Sequence, residues 1–514
     1  MSRSLKSLVR LSSAMRWIAC GSALVAMAVP AMPQQSAADS QAPSTATIHV
    51  QSRLVVLDVV VTDKKGKPLT GLSKSDFTVL EDGKPQTLRH MDYTALAGDS
   101  KASGFKSVFV LDVLNSTLDE SAYGKAQLAH YLSTQPETLP QPAMLVTVDD
   151  RGFKMIAAYT TDRKALQSAL HAYKSGIPFD FTRGDNEARL TITFDALRQI
   201  ALASIGSPGR TELIWLGHGF PAMNLMNIPP QDAATMQALV QNITNQLLEA
   251  RIVLYKVDPA AVGAPAVTPN MDDADSAFDD TAQPFADSIS FDSMIQQTGG
   301  HSFFNRNDVD AEFSKAVDLG GSFYTLSYSP TGESTAAAGY RHIRVLVNQP
   351  GAKAVTRQGY FKIDAAAAPE APANPAAVVD GAIINNLVYS ALGVHITSLT
   401  RAPSGTSTRC FMRLDAKDIH WTLQPDGSRV MNLLVGAATY GANGKPLTYS
   451  RDTATLHMDA AAPDSDSALH SDFEIPMHIP PAAASLRIVV LAEETGKLGS
   501  ADATSIPADA HSLR

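Results

Sequence analysis

The chain reads as an α/β protein: a doubly wound, mainly parallel sheet with helices on both faces, flanked by β-sandwich modules. Three observations predict this. Short, mostly apolar runs at 107–111 (SVFVL), 213–216 (LIWL) and 252–257 (IVLYKV) have the texture of strands buried on both faces. Amphipathic helical patterns alternate with them, as a parallel sheet requires. Before and after this region, strand patterns are punctuated by turns such as Asp82-Gly83 and Asn443-Gly444, which indicates separate β modules. At 514 residues the chain exceeds one compact core, so two to four domains are expected.

Taken in order, residues 1–31 have the features of a signal peptide. Arg3, Lys6, Arg10 and Arg16 precede a short apolar stretch at 17–29, and Val29-Pro30-Ala31 offers a cleavage site. The stretch is shorter than the roughly 20 residues of a spanning helix, although an uncleaved anchor is the alternative. Cys20 raises the question of a lipoprotein, but Trp17-Ile18-Ala19 is a poor lipobox. After cleavage only Cys410 remains, so no internal disulfide forms, and a buried, inert thiol is expected there. Residues 32–47 are a polar tether.

An N-terminal β module spans 48–100, opening with IHVQSRLVVLDVVVT at 48–62. The α/β region covers 104–320. Its strand at 107–111 closes on Asp112, and Thr117-x-x-Glu120 is a capping box for a helix over about 120–133. Strands at 143–148 and 153–158 follow. Asp162 then caps a helix with Leu166, Ala169, Leu170 and Tyr173 on one stripe. A further helix is expected over about 191–204. The strand at 213–216 ends at Gly217-His218-Gly219. A helix over 232–249 aligns Met236, Leu239, Val240, Ile243 and Leu247, and feeds the strand at 252–257. A Pro/Asp-rich loop fills 263–290, followed by a helix at 291–298, a strand at 301–304 and a helix at 308–318.

Two long strands, 322–329 and 341–347, and an extended piece near 353–363 make a β extension over 321–363. Neither this extension nor the N-terminal module is large enough to hold a core alone. We therefore expect the two to pair into one discontinuous sandwich with the α/β domain inserted. Residues 364–382, which include DAAAAPEAPANPAAVV, read as a linker. Residues 383–514 read as a C-terminal β-sandwich.

A formal charge of −9 and the absence of any Lys/Arg run argue against nucleic acid as a ligand. No later segment is long and apolar enough to span a membrane. Gly217-His218-Gly219-Phe220-Pro221-Ala222 superficially matches a dinucleotide loop, but the following prolines keep a helix from starting there. Asp272, Asp273, Asp275, Asp279 and Asp280 lack the glycine and terminal glutamate of a calcium loop.

Several motifs together carry a family resemblance over about 50–363. They are Glu81-Asp82-Gly83-Lys84, Val110-Leu111-Asp112, Thr161-Asp162-Arg163-Lys164-Ala165-Leu166, Leu213-Ile214-Trp215-Leu216-Gly217-His218-Gly219-Phe220-Pro221, Thr298-Gly299-Gly300, Tyr324-Thr325-Leu326-Ser327-Tyr328 and Ile343-Arg344-Val345. The stretch resembles the acidobacterial-type VWFA-related domain proteins, with a von Willebrand factor A-like domain. The resemblance implies a site for Mg²⁺ or Ca²⁺ built from an Asp-x-Ser-x-Ser motif, a loop threonine and a second aspartate. Here Asp112 takes the first position and Ser116 the last, while Leu114 replaces the middle serine. Thr191 takes the loop position and His218 stands for the second aspartate. The metal set Asp112, Ser116 and Thr191 is therefore degenerate, and no cofactor is expected.

Ligands of open α/β sheets gather at the carboxyl ends of the strands, so Asp112, Asn115, Ser116, Thr191 and His218 define an expected binding rim. The expected function is recognition of a protein or glycan by an exported, non-enzymatic protein in the periplasm, the envelope or the medium. A structural envelope component is the alternative. A hydrolase using Ser116, His218 and Asp112 is the third reading.

Overall fold

The computed structural model describes residues 54–95, 105–174, 186–207, 209–259, 283–303, 313–314, 316–317, 320–330, 339–362, 374–401, 408–415, 418–458, 471–504 and 506. The expected signal peptide and tether, the Asp272–Asp280 loop and most of the 308–318 helix lie outside these residues.

The β-branched strand β1 (Val55–Thr62) is followed by β2 (Phe77–Glu81), β3 (Lys84–Gln86) and β4 (Leu88–Ala95). Asp82 and Gly83 both have positive φ, which turns β2 tightly into β3. Apart from the β2–β3 hairpin, these strands find their partners elsewhere in the chain. β1 pairs antiparallel with a strand more than 200 residues later, β13 (Ser322–Tyr328), in the register Leu57↔Leu326. β4 flanks β13 on its other edge, and β15 (Lys353–Val355) flanks β1. A second sheet is built from β16 (Gly359–Phe361), β14 (Tyr340–Val347), β2 and β3. The inner faces share one core that includes Leu57, Val59, Val79, Leu326 and Ile343. Glu81 is buried in it, and its carboxylate accepts from Tyr328 Oη at 2.5 Å and Arg341 Nη1 at 2.5 Å. A buried charge needs such partners, and these come from both later strands.

Between β4 and β13 lies the six-stranded sheet. It comprises β5 (Lys106–Asp112), β6 (Thr138–Asp149), β7 (Gly152–Asp162), β8 (Thr211–Leu216), β10 (Ile252–Val257) and β12 (Ser302–Phe303). The order is β12-β10-β8-β5-β6-β7, parallel except for the edge hairpin partner β7. Alternation along β5 shows why both faces need cover. Val108 and Val110 enter one core, against α3 (Asn186–Ser204), α4 (Pro230–Glu249) and α5 (Phe291–Thr298). Phe109 and Leu111 enter the other, against α1 (Leu118–Thr134) and α2 (Arg163–Ala172). A short pair, β9 (Met223–Asn224) with β11 (Ser288–Ile289), ties down the segment after β8.

The expected linker is corrected by α6 (Pro375–Asn385). Asn374 caps it through Ala377 N–H at 3.0 Å, and Pro375 occupies a first-turn position where its missing N–H costs nothing. Val378, Val379, Ala382 and Ile383 are buried in the same core as α3. Alanine-rich composition reads as a tether, yet alanine is also the best helix former, and the valines and isoleucine supply the stripe.

The C-terminal region has two sheets. One holds β17 (Val394–Arg401), β18 (Thr408–Leu414) and β22 (Ser471–Met477). The other holds β19 (Thr422–Leu423), β20 (Arg429–Tyr440), β21 (Pro446–Met458), β23 (Ser485–Ala492) and β24 (Leu498–Ala503). Leu433, Val435, Ile488 and Val490 face the sandwich core with Cys410. Leu434, Ala438, Val489 and Leu491 face α6 and join the α/β core. At Gly436 an added Cβ would lie 2.5 Å from Val379 Cγ1, so this glycine admits the helix. No helix among the described residues is long and apolar enough to cross a membrane.

Candidate functional site

Strand order reverses between β5 and β8, and connections leave to opposite sides there, the place where ligands of such sheets gather beyond the carboxyl ends. Asp112 ends β5 at this point, and Gly217-His218-Gly219 follows β8. Asp112 is only 2% exposed. Its Oδ1 accepts from Asn115 N–H at 2.9 Å, and its Oδ2 accepts from Trp215 Nε1 at 2.8 Å and Gly219 N–H at 3.0 Å. Asn115 Nδ2 lies 3.2 Å from both oxygens. Burial pushes the Asp112 carboxyl up, and these hydrogen bonds only partly oppose that shift.

Asn115 extends the network. Its Oδ1 accepts from Arg189 Nε at 3.1 Å and Nη2 at 2.9 Å, and its Nδ2 reaches Thr193 Oγ1 at 3.1 Å. A fixed guanidinium thus sits one residue from Asp112. Gly217 has φ +143°, and a Cβ there would lie 2.6 Å from Asp112 Cβ and 3.0 Å from Ser116 Oγ. Ser116 is buried, and among the described residues no hydrogen-bond partner reaches its Oγ.

Thr191 requires a correction. The helix α3 begins at Asn186, so Thr191 lies on its exposed side and donates to Glu187 O at 2.9 Å. Two residues on a helix are about 200° apart, and it is Thr193 that faces Asn115. The buried positions of Asp112, Asn115 and Ser116 also correct the expected rim: these side chains are sealed beneath it.

His218 is the accessible member, with 33% of its side chain exposed. Its Nδ1 lies 3.0 Å from Asp258 Oδ2 and its Nε2 lies 3.1 Å from Glu120 Oε2. Both nitrogens face carboxylates, which only the doubly protonated ring can satisfy. The hydrogen bond to Asp258 and the two negative charges outweigh burial and raise its pKa to about 9. Glu120 is the third helical residue of α1 and completes the capping box: Thr117 N–H donates to its Oε2 at 2.8 Å. Burial would raise this carboxyl, but the Thr117 and His218 contacts together hold it below the usual range. His218 therefore braces the α1 N-terminus against the end of β10.

The residues present do not fit a hard divalent cation. Mg²⁺ and Ca²⁺ need several oxygen ligands with free lone pairs. Asp112 already accepts from three residues, Arg189 supplies positive charge beside it, and Asp258 is engaged by an imidazolium. Among the described residues no group of three or more His, Cys, Asp or Glu is arranged to hold a metal. The nucleophilic arrangement also fails, because both nitrogens of His218 are committed and neither bonds Ser116. After Gly217-His218-Gly219 the chain runs through β9 before α4 starts at Pro230, so no helix N-terminus follows the glycines directly. Cys410 is buried, and burial pushes its thiol up to about 12.

Residue spacing does not reveal Trp215, Arg189, Thr193 and Asp258 as members of this site. Asp258 had a usable signal: it follows a buried parallel strand directly, as Asp112 does. Trp215 reads as core, and it is fully buried; its indole N–H is what serves the site.

No protein-family model matches the chain, and no curated protein matches it. Among solved structures, it is similar to proximal thread matrix protein 1 from the mussel byssus, at 12% identity and a TM-score of 0.27. That match covers 46% of this chain and 49% of the mussel chain, so about half the length of that protein is spanned. Manganese-loaded TRAP protein of Plasmodium vivax matches at 9% identity and a TM-score of 0.24, covering 53% of this chain and 98% of its own. The three N-terminal domains of the type V pili tip protein Mfa5 from Porphyromonas gingivalis match at 11% identity and a TM-score of 0.18. Those domains cover 87% of this chain and 76% of their own. What is shown of this protein is a mixed α/β fold with one six-stranded mixed sheet and several antiparallel sheets.

Proposed function

We propose that this chain is an exported, non-enzymatic recognition protein whose von Willebrand factor A-like domain presents its strand-end rim to a protein partner without a metal ion. The observation that carries this reading is the braced His218. A charged ring held by Glu120 and Asp258 keeps three rim segments in one arrangement, so a partner meets a preorganised surface. Leu118, 61% exposed on the α1 N-terminus, and Met226, 78% exposed on the segment after β8, supply apolar anchors at the same strand ends. Aliphatic anchors favour a protein over a glycan, which stacks on aromatic rings.

Sealing of Asp112, Asn115 and Ser116 favours a second reading, in which the domain is a scaffold in the cell envelope. Co-sedimentation of the full chain with cell-envelope fragments separates the two. Under the recognition reading, Leu118→Glu and Met226→Glu abolish retention and Leu423→Glu, on the C-terminal sandwich, leaves it intact. The reverse pattern supports the scaffold. Hydrolysis lost in Ser116→Ala would revive the third, enzymatic reading against the geometry of His218.

A further inference from the structure

Met226 is the most exposed large apolar side chain among the described residues, 78% open to solvent on the segment after β8. The backbone around it keeps it there. Met223, in β9, pairs with Ile289 of β11 and packs partly buried against the core. Leu225 turns inward and is buried, and its N–H donates to Asp287 O at 2.9 Å. The turn Leu225–Asn227 is capped by Asn224, whose Oδ1 accepts from Met226 N–H at 2.9 Å. With Leu225 anchored in the core, the next side chain is left in solvent. Other methionines are placed differently. Met144, Met294, Met412 and Met431 are buried, and Met91, Met155 and Met236 pack partly buried against the cores. A two-electron oxidant therefore reaches Met226 ahead of these, since oxidation of such side chains follows their exposure.

We infer that Met226 is a site of peroxide modification, and that its oxidation turns this part of the rim from apolar to polar. The thioether sulfur attacks hydrogen peroxide. An S–O bond forms, the O–O bond breaks, sulfur loses two electrons, and the second peroxide oxygen leaves as water. The sulfoxide is polar, and burying its oxygen in an apolar contact without a donor is unfavourable. Leu118, the other apolar anchor, carries no sulfur, so oxidation changes one anchor of the two. Methionine sulfoxide reductases reverse the reaction, which makes the change a switch. Its consequence for a partner rests on the recognition reading; the modification itself does not.

Mass-spectrometric peptide mapping of the full chain after graded hydrogen peroxide tests the site. We expect the Met226 peptide to gain one oxygen at doses that leave Met144, Met294, Met412 and Met431 unmodified. Hydrophobic-interaction chromatography reads the polarity change without a partner. The treated chain should elute earlier, methionine sulfoxide reductase should restore its position, and Met226→Leu should show no peroxide-dependent shift. Co-sedimentation with cell-envelope fragments reads the consequence: wild-type retention should fall after peroxide and return after the reductase. Met226 staying reduced while the buried methionines oxidise overturns the proposal. So does an equal elution shift in Met226→Leu, or retention unaffected by mapped oxidation. Absence of retention before any peroxide, with mapping and elution as expected, sinks the recognition reading and supports the modification site.

Discussion

Two carboxylate networks sit at the same strand ends and behave differently. Around Asp112, every donor comes from the protein interior, and the side chain has lost contact with solvent. Around His218, two carboxylates hold a ring that still reaches water. The difference teaches that residues at the expected location of a binding site divide by burial into those that build it and those that can touch a partner. Asp112 organises the turn after β5 and pins β8 beside it. His218 carries the charge that the surface displays.

The largest expected effect comes from breaking the inner network. Asp112→Ala leaves the Trp215 and Gly219 N–H groups buried without an acceptor, each costing about 1–3 kcal/mol, so a total loss of about 3–5 kcal/mol is expected. Urea denaturation measures it. A loss under 1 kcal/mol would mean the inner network is as replaceable as a surface contact, and the comparison would collapse.

The outer network should respond to pH. The folded pKa of His218, about 9, lies above the ordinary histidine value of 6.5. Its stabilisation is therefore complete below about pH 6.5 and disappears as pH rises through about 9. With partial exposure weakening the pair, the contribution is about 1–2 kcal/mol. His218→Gln should remove the difference in urea midpoint between pH 6 and pH 9.5 that the wild-type chain shows. An unchanged difference in the variant would assign the alkaline loss to another group.

The smallest effect sharpens the boundary of the inner network. Thr193→Ala, which removes a partner of Asn115, should cost about 1–2 kcal/mol, whereas exposed Thr191→Ala should stay within about 0.5 kcal/mol. Equal effects in thermal melts would blur the distinction between the two faces of α3.

How much of this was legible follows from the range of each interaction. Val108, Val110, Leu213 and Ile252 announce their strands because a strand buried on both faces is apolar along most of its length. Thr117 and Glu120 announce the α1 cap because both partners lie within one turn. Residues 375–385 mislead, since alanine, proline and valine in a row suit either a tether or a helix, and only the receiving surface of β20 and α3 distinguishes them. At the site, Asp112 and His218 are visible from their positions at strand ends. Thr191 is misplaced because the start of α3 sets which threonine faces inward, and the helix expected from about 191 begins at Asn186.

Composition and spacing alone settle the alternation of strands and helices and the chemistry of the turns, because these depend on neighbours a few residues apart. Only the folded chain decides the rest. Asp58, on β1, meets Arg251 across 193 positions, and Glu81 finds Arg341 across 260. His218 gains its two carboxylates from α1 and from the end of β10. Such pairs carry no local signature, since burial and charge at each end are fixed by elements that meet only when the sheet closes.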